Sequence, residues 1–494
     1  MGATATALRL ARASACTCAA LTLVAAPVAA IGGTSQGPSS SQTPYVVPLA
    51  DGVETRSILT VGDDVDGYRL VGIPDGLGVL GTDDGAFRLF MNHELFPDAG
   101  IGRAHGGTGG AFVSDYTIDA TTLEVRTGSD LDDEAWFWND VQDAYEQRTG
   151  SAANFNRFCS ADLAAKSAFW DPHSRTGYNG RIFLNGEETA EGRAFAHLVT
   201  GREHGTAWEL PALGNFAWEN ALAAHGAGQT TVVVGTDDVN PRGEVYVYVG
   251  AKQRDGTPLE RAGLTGGSLF GIKVSGVPNE SRDLGINATS RAFSLHGFGD
   301  VSGWSALDLQ AASTANAVTT FLRPEDGAWD PMHPNDFYFA TTDRFNMTVV
   351  GNSRLWRLRF HDVADPAAGG TISAVVEGTD PPQSMDNITI DRTGHILIQE
   401  DPGVREHLSK IWSYSIADDT LTAIAEADPA RFATGGAHFL TIDEETSGIV
   451  DASDVMGPGW FIGTVQADVP LDDPELVETG QVFAIYNPAS DPAP

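Results

Sequence analysis

The sequence predicts an all-β fold, a β-propeller of about six blades with loop and short-helix insertions, and three observations predict it. Helical periods are few and short. Short apolar runs alternate with Gly, Pro, Asp and Asn turns along most of the 494 residues, the mark of strands joined by tight connections. And one pattern recurs: an apolar strand that runs directly into one or two acidic residues.

The recurring units come in this order. FRLFMNHE ends at Glu94, RIFLNGEE at Glu187 and Glu188, TTVVVGTDD at Asp237 and Asp238, DFYFATTD at Asp343, HILIQED at Glu400 and Asp401, and WFIGTVQAD at Asp468. After four of them comes a second strand with an aromatic in it: GEVYVYVG, SRLWRLRF, SKIWSYSI and GQVFAIYN. The intervals run from about 50 to about 105 residues, against roughly 40–50 for one propeller blade. The long intervals imply insertions or unmarked units, and GGSLFGIKV and LRPEDG lie in the widest. Residues 133–147 and 217–225 are the best helix candidates. A sandwich with an added domain is the alternative architecture.

Residues 1–30 read as an export signal. Arg9 and Arg12 precede an apolar run, and Val28-Ala29-Ala30 offers a small-residue cleavage site. The run is too short to span a bilayer, and no later stretch is long enough, so the expectation is a secreted or extracytoplasmic protein. Residues 31–43 read as a flexible linker, and residues 44–490 as a single propeller domain. Cys16 and Cys18 leave with the signal, so Cys159 stands alone and no internal disulfide can form. Cys159 is either a small buried apolar residue or a reactive one.

The formal net charge of −36 argues against nucleic acid and anionic membranes as partners. It is compatible with bound cations or with mere solubility, and position separates the two. Equivalent strand ends of a propeller converge at one mouth of its central channel. Carboxylates gathered there repel strongly, and hard cations with oxygen ligands, calcium first, neutralise them economically. Alternatively, each acid only accepts N–H groups of its own turn.

A separate loop, DEETSGIVDASD over residues 443–454, resembles an EF-type calcium loop. Asp443, Glu445, Ser447, Asp451 and Asp454 fall at its ligand positions and Gly448 at its sharp turn. The alternative is an acidic surface turn. DDVDG at 63–67 reads as a hairpin turn. In RPED, Arg323 suits bidentate phosphate contact or an ion pair with its neighbours. Asp386 and Asn387 of SMDN offer further oxygens. Glu94 of NHE sits beside an imidazole. No HExxH and no phosphate-cradling glycine loop occurs, so a hydrolase built on this chain is metal-dependent.

The run YVVPLADGVETRSILTVGDDVDGYRLVGIPDGLG, then LFMNHE, NGEE, VYVYVG, LRPEDG, SMDN and VQAD in order, resembles the PhoX-type secreted alkaline phosphatases over nearly the whole chain after the signal. The resemblance implies a PhoX-like propeller with calcium and a pair of iron ions at one mouth, and a small phosphorylated substrate. It implies metal ligation by Glu188, Glu244, Glu325 and a bridging Cys159, phosphate binding by Arg323, catalytic roles for Arg323 and Glu325, and, more loosely, ligation by Asp386. Members usually carry a cysteine before the double glutamate, where this chain has Gly186. Their usual twin-arginine signal is absent. Two other readings stay open: a non-catalytic, calcium-stabilised propeller that binds a partner or surface ligand, and a calcium-dependent phytase or lactonase type of hydrolase.

Overall fold

The computed structural model describes Met1, residues 32–343 and residues 351–492. The export signal lies, Met1 apart, outside them. Residues Ile31–Pro494 form one compact unit, built of antiparallel blades around a central channel. The innermost strands are Pro74–Gly81, Phe158–Leu163, Trp218–Ala223, Pro324–Trp329, Met385–Ile390 and Glu445–Asp451. Each packs against the next, and the last against the first, so the ring closes at six blades.

Every recurring apolar-acidic unit is the second strand of a blade: Ala86–His93, Ile182–Glu187, Thr230–Asp237, Asp336–Thr341, His395–Glu400 and Trp460–Pro470. The sequence argument assigned these acids to inner strands; the pairing places them one strand further out. The aromatic strands that follow four of them are third strands. Second strands read as continuous apolar runs because both faces are buried. Successive side chains point to opposite faces, so Phe337 and Phe339 fill the wedge toward blade three while Tyr338 and Ala340 fill the wedge toward blade five. Six such apolar wedges separate the six blades, and burying each large side chain contributes roughly 1.5–3 kcal/mol.

Both helix candidates are strands. Residues 133–147 form Glu134–Asn139 and Ala144–Gln147, which extend blade two. Buried Ala135 and Phe137 alternate there with half-buried Trp136 and Trp138, a period of two. Residues 217–225 hold the inner strand of blade three, where pairing with Thr230–Asp237 overrides the helix-forming Ala and Leu. GGSLFGIKV supplies the fourth strand of blade three, and LRPEDG opens the inner strand of blade four. DDVDG forms the expected hairpin, Asp64–Val65 against Tyr68–Arg69.

The expected linker is tied down. Thr34–Gln36 pairs in parallel with residues 55–57, and Ser40 is buried against Thr60 at 3.0 Å. Blade six combines Glu445–Asp451, Trp460–Pro470 and Glu478–Tyr486 with Glu54–Thr60 from the other end of the chain. Val46–Pro48 likewise completes blade five. Among the described residues no helix is long and apolar enough to cross a membrane.

Candidate metal centre at the propeller mouth

All six inner strands start at the same mouth, and each slips register within its first few residues: between Pro74 and Leu77, Phe158 and Ala161, Trp218 and Asn220, Pro324 and Gly327, Met385 and Ile388, and Thr446 and Ile449. Such bulges re-aim the side chains at the disruption. Here they carry Asp75, Cys159, Glu219, Glu325 and Asp386. The backbones come very close at these points; a Cβ on Gly448 would lie 2.3 Å from the Asp75 carbonyl oxygen. The second strands end at the same level and deliver Glu94, Glu188 and Asp401.

Together these residues make a continuous band of ligating atoms. Asp75, Glu94 and Cys159 form one group; Cys159, Glu188 and Glu219 a second; Glu219, Glu325 and Asp386 a third; Asp386, Asp401 and Glu445 a fourth. Within each group the ligand atoms lie within 4.8 Å of one another. Cys159, Glu219 and Asp386 are each shared by two groups, so neighbouring cations held there would share ligands. The band holds one thiol and eight carboxyls.

Two arginines meet this charge. Arg157 donates to Glu94 (Nε, 2.9 Å) and pairs with Glu188 at 2.8 Å. Arg323 donates to Asp238 (Nε, 2.7 Å) and lies 3.2 Å from Glu325. Two positive charges against eight carboxyls leave a large deficit. Burial first, then the neighbouring carboxyls, pushes Glu219, Glu325, Asp386 and Glu445 well above the usual carboxylate range. The same causes take Asp75 up to about 7 and Glu188 up to about 8, and raise the Cys159 thiol well above its ordinary value. The donor set fits hard cations through its oxygens and a transition metal through Cys159 with its surrounding carboxyls.

One layer below, amides and hydroxyls fix the band. Asn387 donates to Ser160 Oγ (2.7 Å), and Ser160 donates to Glu219. Gln466 Nε2 reaches Asp75 and Glu94, both at 3.3 Å. Cys159 Sγ lies 3.2 Å from Asp75. Asn387, expected as an oxygen ligand, thus contributes its N–H to the layer beneath.

Of the residues expected from sequence, Glu94, Cys159, Glu188, Glu325, Asp386 and Glu445 meet in the band. Glu244 does not. It sits on the third strand of blade three beside Asp237, held by Gln310 Nε2 at 2.9 Å. The EF-type loop is not formed, because Glu445–Asp451 is an extended inner strand and its residues cannot converge on one ion. Glu445 joins the band at the mouth, and Asp443 lies near Asp468 and Glu478 beside it. Ser447 accepts from Gln466 at 3.2 Å. Asp451 and Asp454 stand at the opposite end of the strand, Asp451 bonded to the Ser453 N–H (2.9 Å) and Asp454 paired with Arg392 (2.7 Å) in solvent. Asp343 pairs with Arg282 at 3.2 Å, apart from the band.

Asp75, Glu219 and Arg157 join the site without having been expected there from the sequence. Asp75 sits in a segment given no element from the sequence, and Glu219 in one that reads as a helix; Asp401 is one of the strand-end acids. Gly186 also has a local reason. A Cβ there would lie 2.3 Å from Trp218 Cβ, so the buried indole occupies the space a cysteine would need.

In structure, the chain is similar to PhoX of Pseudomonas fluorescens in complex with vanadate, a transition state analogue. The TM-score is 0.55 at 13% identity, over 92% of this chain and 98% of that one. Weaker likenesses are to an α-L-arabinofuranosidase of Podospora anserina in complex with cellotriose (TM-score 0.28, 8% identity, 92% and 96% covered) and to NanB sialidase of Streptococcus pneumoniae (0.30, 8%, 86% and 69%). No family model and no curated protein sequence matches the chain. The likeness to PhoX is one of fold: an all-β propeller.

Proposed function

We propose that the chain is an exported metal-dependent phosphatase that hydrolyses small phosphate esters at this mouth. The observation that carries the reading is the continuous band of one thiol and eight carboxyls with Arg323 beside it, in a fold shared with a protein that binds vanadate as a transition state analogue. Asp75, Glu94, Cys159, Glu188, Glu219, Glu325, Asp386, Asp401 and Glu445 would hold the cations, calcium on the oxygen-rich groups and iron where Cys159 is shared. Bound there, cations supply Lewis acidity toward phosphoryl oxygens and charge neutralisation.

The chain's own residues do the rest. Arg323 gives Nε and Nη2 to Asp238 and lies 3.2 Å from Glu325, which fixes its positive charge beside the band, where a phosphate would meet it. Glu325 both positions that charge and contributes to the band. Burial of the carboxyls limits competing water and strengthens each polar contact. The acidic surface disfavours nucleic acid as a partner.

The test is metal content together with a phosphate-ester panel on purified protein, with and without EDTA. Turnover lost to EDTA and restored by calcium with iron supports the reading, as does a loss of at least a hundredfold in Glu188→Gln. Calcium binding that raises the melting temperature, without turnover of any ester, replaces it with the non-catalytic propeller.

A further inference from the structure

A chain of buried side chains crosses blade two and ends on the backbone of Cys159. Asp132 Oδ2 lies 2.7 Å from His197 Nδ1, and His197 Nε2 lies 2.9 Å from Asn185 Oδ1. Asn185 Nδ2 donates to Asn92 Oδ1 at 2.9 Å. Asn92 Nδ2 in turn donates to the carbonyls of Cys159 (2.7 Å) and Ser160 (3.2 Å). His197, Asn185 and Asn92 are 0% exposed and Asp132 3%. Four phenylalanine rings, of Phe155, Phe158, Phe183 and Phe195, wall in the imidazole. The near end fixes the direction of every donor. A carbonyl only accepts, so the Asn92 nitrogen faces the two carbonyls and its oxygen faces Asn185. Asn185 therefore turns its own oxygen to His197, and Nε2 must carry a hydrogen. A proton lies between Nδ1 and Asp132 as well, because two bare lone pairs at 2.7 Å would repel. Asp132 thus sets the state of His197, and His197 sets both amides.

We infer that Asp132, His197, Asn185 and Asn92 are positioning residues, which hold the Cys159 bulge in the shape its thiol needs to ligate a cation. The inference rests on the reading of Cys159 as a metal ligand. The bulge between Phe158 and Ala161 takes Cys159 and Ser160 out of the ladder with the second strand, and buried carbonyls need donors. Asn92 supplies them from blade one. Clamped there, Cys159 keeps its thiol 3.2 Å from Asp75, and Ser160 keeps its hydroxyl on Glu219. A wedge that needed only packing would hold apolar side chains here, since replacing both partners of a buried polar contact by apolar groups of the same shape can be nearly neutral or stabilising. A polar chain that starts at Asp132 and ends on the one thiol of the band specifies a geometry instead.

The experiment titrates metal-free protein with cobalt(II) against a competing chelator and reads the thiolate-to-cobalt charge-transfer absorption, which Cys159→Ser should abolish. Asp132→Leu/His197→Phe replaces both members of the outer pair by apolar side chains, with melting temperature as a folding control. In that double variant cobalt affinity should fall about 10–100-fold, and the charge-transfer absorption should weaken or shift. Asn92→Ser removes the two donors at the near end and should reproduce the loss. Asp132→Asn should keep the wild-type absorption, because its amide can donate to Nδ1 while Nε2 keeps its hydrogen. Wild-type affinity and absorption in a folded double variant or in Asn92→Ser would overturn the assignment. So would nitrogen NMR of histidine-labelled wild type that finds Nε2 of His197 without a hydrogen, a measurement that needs no variant to fold. A wild type that binds cobalt with no thiolate absorption sinks the reading of Cys159 as a ligand itself.

Discussion

Stripping cations from the mouth should make the protein less stable as pH rises from 5 to 8. Asp75 and Asp326 are two of the buried carboxyls that carry the effect. Both are buried, and in the cation-free chain burial lifts each from 3.8 to about 7. A carboxyl raised in this way keeps its proton in the folded state after the unfolded chain has released it. Its contribution is fully present below the unfolded value near 4 and is lost as pH climbs through about 7. Between pH 5 and about 7 each group loses roughly 3 kcal/mol, or roughly 5 kcal/mol for the two. At about 2.1 cal/mol/K per residue, a compact unit of roughly 460 residues has an unfolding entropy of ~1 kcal/mol/K, so the melting temperature should fall by ~5 °C. Cations reverse the preference of Asp75 and its neighbours by holding them ionised. Scanning calorimetry of EDTA-treated and calcium-reloaded protein at pH 5, 6, 7 and 8 measures this. A chelated protein whose melting temperature is flat or rising over that range would refute the reasoning.

Other predictions follow from single contacts. Ser160→Ala removes the hydroxyl between Asn387 and Glu219 and should weaken metal binding by about 10–100-fold, read by chelator competition. Gly186→Cys drives a Cβ into Trp218 and should destabilise by roughly 1–3 kcal/mol, measured by urea denaturation. Asp454→Asn breaks only a solvent-exposed pair with Arg392. It should shift stability by less than about 1 kcal/mol and leave the number of bound calcium ions unchanged in elemental analysis; a lost ion would restore the EF-type reading. Arg323→Lys keeps the charge but loses the bidentate fork and should raise KM for p-nitrophenyl phosphate about tenfold.

Much of the architecture was legible because second strands are buried on both faces. Runs such as TTVVVG and FYFAT stand out from any alternating background, and the polar residues that end them mark the mouth. Inner strands are harder to see. They are short, begin at a bulge, and mix acids with small residues where backbones nearly touch, as at Gly76 and Gly448. PDGLGVLG therefore carries no strand signal and WENALA reads as a helix, and Asp75 and Glu219 disappear with them. The EF-type match at 443–454 failed for the opposite reason. Acids at the right intervals suggest a loop, yet Thr446, Ile449 and Val450 pair with the neighbouring strand, and spacing along an extended strand separates ligands that a loop would gather. Arg157 had no sequence signal of its own; only the equivalence of blades exposes it.

The two stitched blades have a consequence for biogenesis. Val46–Pro48 closes blade five and Glu54–Thr60 closes blade six, so strands made first wait for partners made last. The cation band draws on residues from Asp75 to Glu445, and it acquires its full donor set only after that late closure. Cations bound as proposed would meet the complete donor set only in the closed ring, and by binding it would oppose reopening.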